Sequence, residues 1–216
     1  MLQNRVDPCG NIINTKARGQ WMGNRGIIHD EHKNIIRPFK LKAWLTCVLQ
    51  FKERKRQVMT PDRYTELFFL DEATAFAAGH RPCCECRRQD FNRFKSFYIK
   101  GNPDYGFDQK TSVNEIDKIL HSQRIDNRGT KITYEEWVED IPNGVFILFD
   151  NKPYLFADNL IFAWSPLGYK EGIVLPKIKK LIVLTPSSIV NTFRASYEPQ
   201  MAIKRTGRDS NPRPLP

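Results

Sequence analysis

Residues 80–88, HRPCCECRR, carry three of the chain's five cysteines and gather its best metal or redox side chains into one short segment. Cys83 and Cys86 stand in C-x-x-C spacing, which lets one tight turn aim two sulfurs at a single ion, each about 2.3 Å away. Cys84, between them, points away in such a turn. A structural zinc site takes four ligands, so more must come from elsewhere, and Cys47 and His80 are the candidates. The same spacing in front of a helix suits a dithiol, with the helix N-terminus, Arg87 and Arg88 favouring a thiolate. Cysteines also pack in cores as small, weakly polar side chains, and Cys47 shares a strand face with Leu45 and Leu49. Spacing alone leaves these readings open.

The stretch FFLDEATAFAAGHRPCCECRR resembles the metal-binding domain of the Ada DNA-repair proteins. There a strand and a short helix lead into an A-A-G-[aromatic]-R-P-C-x-x-C turn. The likeness rests on Ala77, Ala78, Gly79, Arg81, Pro82, Cys83 and Cys86. It implies a zinc ion held by cysteines, contact with the DNA backbone, and methyl transfer from a phosphotriester to a cysteine of an upstream pair. Here the upstream pair is missing and Cys47 stands alone. The methyl-acceptor role is therefore not carried over, and zinc binding is carried over to Cys83 and Cys86. The whole chain is also similar to a bacterial family that shares QNRVDP, MGNRG and the YTELFFLDEATA segment, a likeness that implies no particular reaction.

The 216 residues carry a formal net charge of +10 and are 40 % hydrophobic. That is enough to bury one sizeable core, and it excludes a disordered chain. No apolar run approaches the roughly 18 residues of a membrane helix. The N-terminus MLQNRVDPCGNIINTK lacks the pattern of a signal peptide. A cytoplasmic location, reduced thiols and no membrane partner are the expectations. The odd cysteine count speaks against a disulfide framework. Residues 204–216, KRTGRDSNPRPLP, break the pattern. GRDSNPRP resembles translated antisense transfer-RNA sequence, so this tail reads as non-native or disordered. Lys204, Arg205, Arg208 and Arg213 against Asp209 hold +3 of the charge and leave +7 on the body.

A basic body favours polyanions, with nucleic acid first. Arg81, Arg87, Arg88 and Lys95 sit before and along the helix predicted after the cysteine turn, whose N-terminal N–H groups also favour anions. They are the candidate nucleic-acid contacts, although a solvated basic face explains the same residues. Arg18, Arg25 and Lys33 around Trp21, and FKERKRQ at 51–57, are further basic concentrations. For catalysis, Asp117 and His121 stand i, i+4 on one predicted helix, where a carboxylate can orient an imidazole as general base. NRGIIHDEH offers His29, Asp30 and His32. No phosphate loop, dinucleotide fingerprint or serine elbow is present. The residues point to a zinc-binding protein that associates with nucleic acid. The alternative is a hydrolase or nuclease using His29 or His121.

To position these groups the sequence predicts an α+β fold in a single domain over residues 1–203. It has an irregular arm at 1–40, a mixed centre bearing the C-x-x-C turn, and a β-rich C-terminal half. Alternation predicts a strand over 42–52, and aromatic residues predict another over 64–71. Asp71 caps a short helix that ends at Gly79. Phe91, Phe94 and Tyr98 recur at helical spacing, as do Val113, Ile116 and Leu120. Apolar runs from 144 to 186 predict strands separated by Asn, Asp, Gly and Pro, and a helix with a serine cap closes the domain.

Overall fold

Two sheets and four helices carry this sequence in the computed structural model, which describes residues 1–52 and 57–203. The tip of the basic run at 51–57 and the tail at 204–216 lie outside the described residues. The class is α+β, with a strand-rich C-terminal half. The first sheet contains β1 (Gln3–Val6), β2 (Ile12–Asn14), β3 (Trp21–Asn24), β4 (Leu45–Cys47), β5 (Leu67–Phe69) and β6 (Arg81–Pro82). Its order is β2-β1-β5-β3-β4-β6, with β1/β5 and β4/β6 parallel and the other pairs antiparallel.

The arm is thus more regular than its Gly- and Asn-rich composition suggests. Its three strands are short, and later segments supply the ladder partners that local propensity does not. The strand predicted over 42–52 contracts to three residues, and Leu49, expected on the same buried face, is 53 % exposed.

Helices α1 (Glu72–Ala77), α2 (Arg88–Gly101) and α3 (Val113–Arg124) occupy the middle of the chain. The second sheet contains β7 (Tyr134–Trp137), β8 (Val145–Phe149), β9 (Lys152–Ala157), β10 (Leu160–Ser165), β11 (Gly168–Tyr169), β12 (Ile173–Val174) and β13 (Lys180–Val183). All of its pairings are antiparallel, in the order β11-β10-β9-β8-β13-β7 with β12 also on β10. Asp150 with Asn151, and Asp158 with Asn159, hold positive φ in the two-residue turns that join β8 to β9 and β9 to β10. Asp and Asn tolerate that conformation, and such turns match the strand twist. The last helix, α4 (Ser187–Arg194), is capped by Pro186 without a side-chain bond, not by the predicted serine.

The main core lies between α2, α3, α4 and the second sheet, where Phe94, Tyr98, Ile116, Leu120, Ile147 and Phe193 pack. Helix α1 joins this core to the rest. All six of its residues are buried. Phe76 belongs to the main core, Ala73 and Ala77 pack with Phe146 and Leu155, and Ala75 packs with Leu67 and Phe69 of the first sheet. A helix enclosed on every side needs small side chains so that its neighbours can approach closely, which explains EATAFAA. Asp71 caps it as predicted, Oδ1 accepting from the Thr74 N–H at 2.8 Å.

Helix α3 buries more than its apolar stripe. Asp117 and Arg124 also face inward, at 3 % and 0 % exposure. The Asp117 carboxylate accepts from Arg81 Nε at 2.8 Å and Nη2 at 2.7 Å. This pairing corrects the expectation that Asp117 orients His121. Removing one member of a buried pair leaves the other charge without compensation, at a cost of about 3–5 kcal/mol. Asp117→Ala is expected to lower stability in urea by that much. Lys118→Ala, which breaks an exposed pair with Glu115, should cost no more than about 1 kcal/mol. Equal effects would show that the Arg81–Asp117 pair does not anchor the helix.

Candidate metal centre

The cysteine geometry follows from one strand pairing. β6 lies parallel to β4 with Leu45 opposite Arg81 and Thr46 opposite Pro82. One step further, the Cys83 N–H donates to Thr46 O at 2.9 Å. Cys47 therefore arrives beside Cys83, and the turn into α2 returns Cys86 to the same point. The three sulfurs lie within 4.8 Å of one another. A tetrahedral ion with bonds of about 2.3 Å spaces its ligand sulfurs about 3.8 Å apart, an edge onto which this group can close. Among the described residues no fourth His, Cys, Asp or Glu joins the group. Cys47 and Cys83 are buried and Cys86 is half-buried, so the centre opens to solvent on the Cys86 side.

Backbone dipoles favour the thiolate form here. The Glu85 N–H donates to Cys83 Sγ at 3.4 Å, the Cys86 N–H also points at Cys83, and the Val48 N–H points at Cys86. Hydrogen bonds from Cys47 and Cys86 hold the Cys83 thiol below its ordinary value. Cys47, which donates to both neighbours, is pushed up, and burial adds to the rise. Cys86 ends above its ordinary value because its bond with Cys47, which lowers it, is outweighed by Cys83 and burial. Three thiols competing for too few acceptors are relieved when a cation replaces their protons.

Two buried ion pairs clamp the turn. Arg81, ahead of Cys83, is held by Asp117 of α3, as described above. Arg87, just after Cys86, donates Nη2 to Glu72 Oε1 of α1 and Nε to Asp90 Oδ2 at 2.9 Å. Trp21 covers the Arg87 guanidinium, 3.9 Å from its ring centroid. Glu72 also accepts from the Tyr197 hydroxyl at 3.3 Å and the Gln200 N–H at 3.0 Å. Arg81 and Arg87, expected as nucleic-acid contacts, are 2 % and 5 % exposed and belong to the scaffold. Arg88 is exposed, and Lys95 donates Nζ to Gln109 O at 2.7 Å and Thr111 O at 2.6 Å.

A second constellation, with no counterpart in the sequence expectations, lies under the same strand pair. The Trp44 ring carries the Arg25 guanidinium 3.8 Å from its centroid and that of Arg124 at 3.9 Å. Arg25 donates Nε to His80 Nε2 at 3.2 Å and Nη1 to Gly10 O at 3.1 Å. Arg124 donates Nη1 to Gly79 O at 2.9 Å, and Nη2 to Lys42 O and to His121 Nδ1, the latter at 2.8 Å. Gly79 has φ +84°, and a Cβ there would meet Arg124 Cδ at 2.5 Å. Lys131 donates Nζ to Ala77 O. Arg25 Nη2 and Arg124 Nε have no hydrogen-bond partner among the described residues.

These groups fix the histidine chemistry. Arginine only donates, so His80 Nε2 and His121 Nδ1 are acceptors and both rings are neutral. Burial, followed by Arg25, Arg124 and Lys131, pushes His80 well below its ordinary value. Burial, Arg124 and Lys42 take His121 down to about 4. His121 thus presents an Nε2–H donor, and its Nδ1 lone pair is engaged. His80 stands in a box with Phe69 and Trp44 and is not in the thiol group. His29 is 4 % exposed and bonds Thr65 Oγ1 through Nδ1, while His32 lies in solvent beside Glu31. Cys84 stays outside the thiol group. Cys9 packs beside the second core cluster, its thiol raised to about 11 by burial and Asp7.

No protein-family model, curated protein or solved structure matches the chain.

The buried cations set a pH dependence. Burial lowers Lys131 to about 7, against about 10.4 in an unfolded chain. His80 and His121 likewise refuse protons that the unfolded chain accepts below about pH 6.5. Between about pH 5 and 9 the unfolded state holds more protons, so stability rises with pH. Urea midpoints at saturating zinc should climb across that range. Lys131→Met should remove on the order of 1 kcal/mol of the rise above about pH 7. A midpoint that falls with pH, or a rise unchanged in the variant, would refute this assignment.

Proposed function

We propose that the chain is a zinc-thiolate protein that associates with nucleic acid through its basic surface. Cys47, Cys83 and Cys86 hold the ion. The observation that carries the metal reading is the convergence of three sulfurs from two separate segments, with backbone N–H groups aimed at two of them. Three soft thiolates favour zinc over magnesium or calcium, which take oxygen ligands. The bound ion joins β4 to the turn that opens α2 and leaves its fourth position to a light atom such as water oxygen. No Ada-type methyl transfer is included, because the acceptor pair is missing.

The nucleic-acid part rests on the +7 charge of the body and on exposed cations without an ion pair among the described residues, Arg88 among them. Arg81 and Arg87 are excluded from it by their burial.

The purified chain is expected to carry about one zinc, with X-ray absorption reporting three sulfurs and one lighter ligand. Cys47→Ser, Cys83→Ser and Cys86→Ser should each lose the ion, whereas Cys9→Ser and Cys84→Ser retain it. Retention of a full zinc complement by Cys47→Ser would sink the three-thiolate assignment.

Binding to single-stranded DNA or RNA should weaken at least about tenfold between about 50 and 200 mM salt, as counterion release requires. A flat response, or no binding at the lower concentration, would remove nucleic acid as the partner.

A further inference from the structure

Beside the buried cations the surface opens into a cleft of about 640 Å³. Its walls are residues 38–42, the last turns of α3 and the turn at 125–132. That volume falls in the range of small-molecule sites, roughly 300–1,000 Å³. Phe39 forms an apolar wall, its ring edge-on to His121 with centroids 4.9 Å apart. Lys42, Lys118 and Arg128 bring three cations to the lining. Lys118 pairs with Glu115, and neither Lys42 nor Arg128 forms an ion pair among the described residues.

The acid in the cleft, Asp126, is turned toward its own loop. Oδ1 accepts the Arg128 and Thr130 N–H groups, both at 2.8 Å. Those bonds, with Gly129 at φ +80°, hold the turn that carries Arg128. Behind the cleft, Arg124 donates to His121 Nδ1 and to Lys42 O, which directs the His121 Nε2–H outward. Arg124 is completely buried and, among the described residues, forms no carboxylate hydrogen bond and leaves Nε without an acceptor, Asp117 acting on it only at a distance. Arg25, over the same Trp44 ring, adds to this positive field, which Asp7 and Asp117 offset in part. Low dielectric around such charges strengthens their reach toward an anion at the opening.

We propose that this cleft binds one nucleotide unit of a nucleic-acid strand, with its phosphate on Lys42, Arg128 and His121 Nε2–H and its base against Phe39. The proposal rests on the nucleic-acid reading above and names the site for it. The two kinds of wall select the ligand: an inorganic anion uses only the cations, whereas a nucleotide also uses the aromatic face. His121 acts here as a hydrogen-bond donor, which its tautomer allows.

The test uses the zinc-loaded full chain, a short fluorescein-labelled single-stranded DNA and its RNA counterpart by anisotropy, and AMP and inorganic phosphate by calorimetry. Lys42→Ala with Arg128→Ala should weaken strand binding at least about tenfold and reduce the salt slope by about 2. Phe39→Ala should weaken AMP more than phosphate. His121→Gln, which keeps an acceptor and a donor, should bind better than His121→Leu. Lys177→Ala, an exposed lysine of the strand-rich half, should match the parent chain, and zinc content should be unchanged in the Lys42/Arg128 variant. Strand binding unaltered in that variant, or weakened equally by Lys177→Ala, overturns the cleft while the nucleic-acid reading stands. AMP binding that depends on Lys42 and Arg128 without any strand binding supports the cleft and overturns the strand as partner. Phosphate bound as tightly as AMP overturns the nucleotide assignment, and binding of neither strand nor AMP overturns both.

Discussion

The parallel register of β4 on β6 is the constraint from which both special regions of this protein follow. Arg81 donates its N–H to Trp44 O, and Cys83 donates its own to Thr46 O. Those two bonds place Cys47 beside Cys83, and Trp44 beside His80 and the buried guanidiniums. Strand side chains alternate between faces. Trp44 immediately precedes β4 and stands three residues before Cys47, an odd separation that in extended backbone sends the aromatic ring and the thiol to opposite sides. A register slip of one residue would exchange the faces and dismantle the thiol group and the cation stack together. With so few ladder bonds holding it, the register needs outside support, which the ion pairs of Arg81 and Arg87 provide from α3 and α1.

The basic residues around the C-x-x-C turn thereby change meaning. In the sequence they suggest a surface that meets a polyanion. In the fold Arg81 and Arg87 are internal, paired with Asp117 of α3 and with Glu72 of α1 and Asp90 of α2, while Arg88 stays exposed. Arg25 and Arg124 differ from the two paired arginines because neither forms an ion pair among the described residues, Asp7 and Asp117 acting on them only at a distance. They are kept by aromatic faces, backbone carbonyls and neutral imidazoles, all of which tolerate a cation without cancelling it. Cation–π contact is worth ~2 kcal/mol or more when desolvated, far less than the idealised cost of burying an ion. Such a stack is retained only where the rest of the fold encloses it, and the all-buried α1 with Gly79 at its end does so.

Much of this was legible in the sequence, and the remainder failed for identifiable reasons. The Asp71 cap, the aromatic spacing of α2, the strands from residue 144 onward and the Cys83–Cys86 pair are local patterns that the fold keeps, whereas the serine cap expected for α4 is replaced by Pro186. Cys47 was harder to place because its role depends on strand pairing, which composition does not encode. Asp117 and Arg124 carried a signal that charge-based reading discounts. They recur at helical spacing with Leu120, so the face that reads as apolar continues through two ions. Glu72 is similar, a lone carboxylate opening an otherwise small and apolar helix. Charged residues written into a buried stripe are better taken as halves of internal pairs than as solvated edges. By contrast Lys42 and Arg128 lie in loops with no periodicity, and only the fold brings them together.

The separation of the two regions also constrains how they can depend on each other. The thiol centre and the cation stack share residues 44–47, yet their side chains leave that segment on opposite faces. An ion on Cys47 stiffens the strand, whereas an anion at the cleft acts on Arg124 and Lys42 through charge. Two links join them: Trp44, whose carbonyl accepts from the Arg81 N–H and whose ring supports both guanidiniums, and the Arg81–Asp117 pair, which ties the cysteine turn to α3. A shift of that ring moves Arg124, and Arg124 sets the orientation of His121 and contacts the Lys42 carbonyl. A metal held by the three thiols would therefore act on the cleft as a brace on its supporting strand and not as a charge within it.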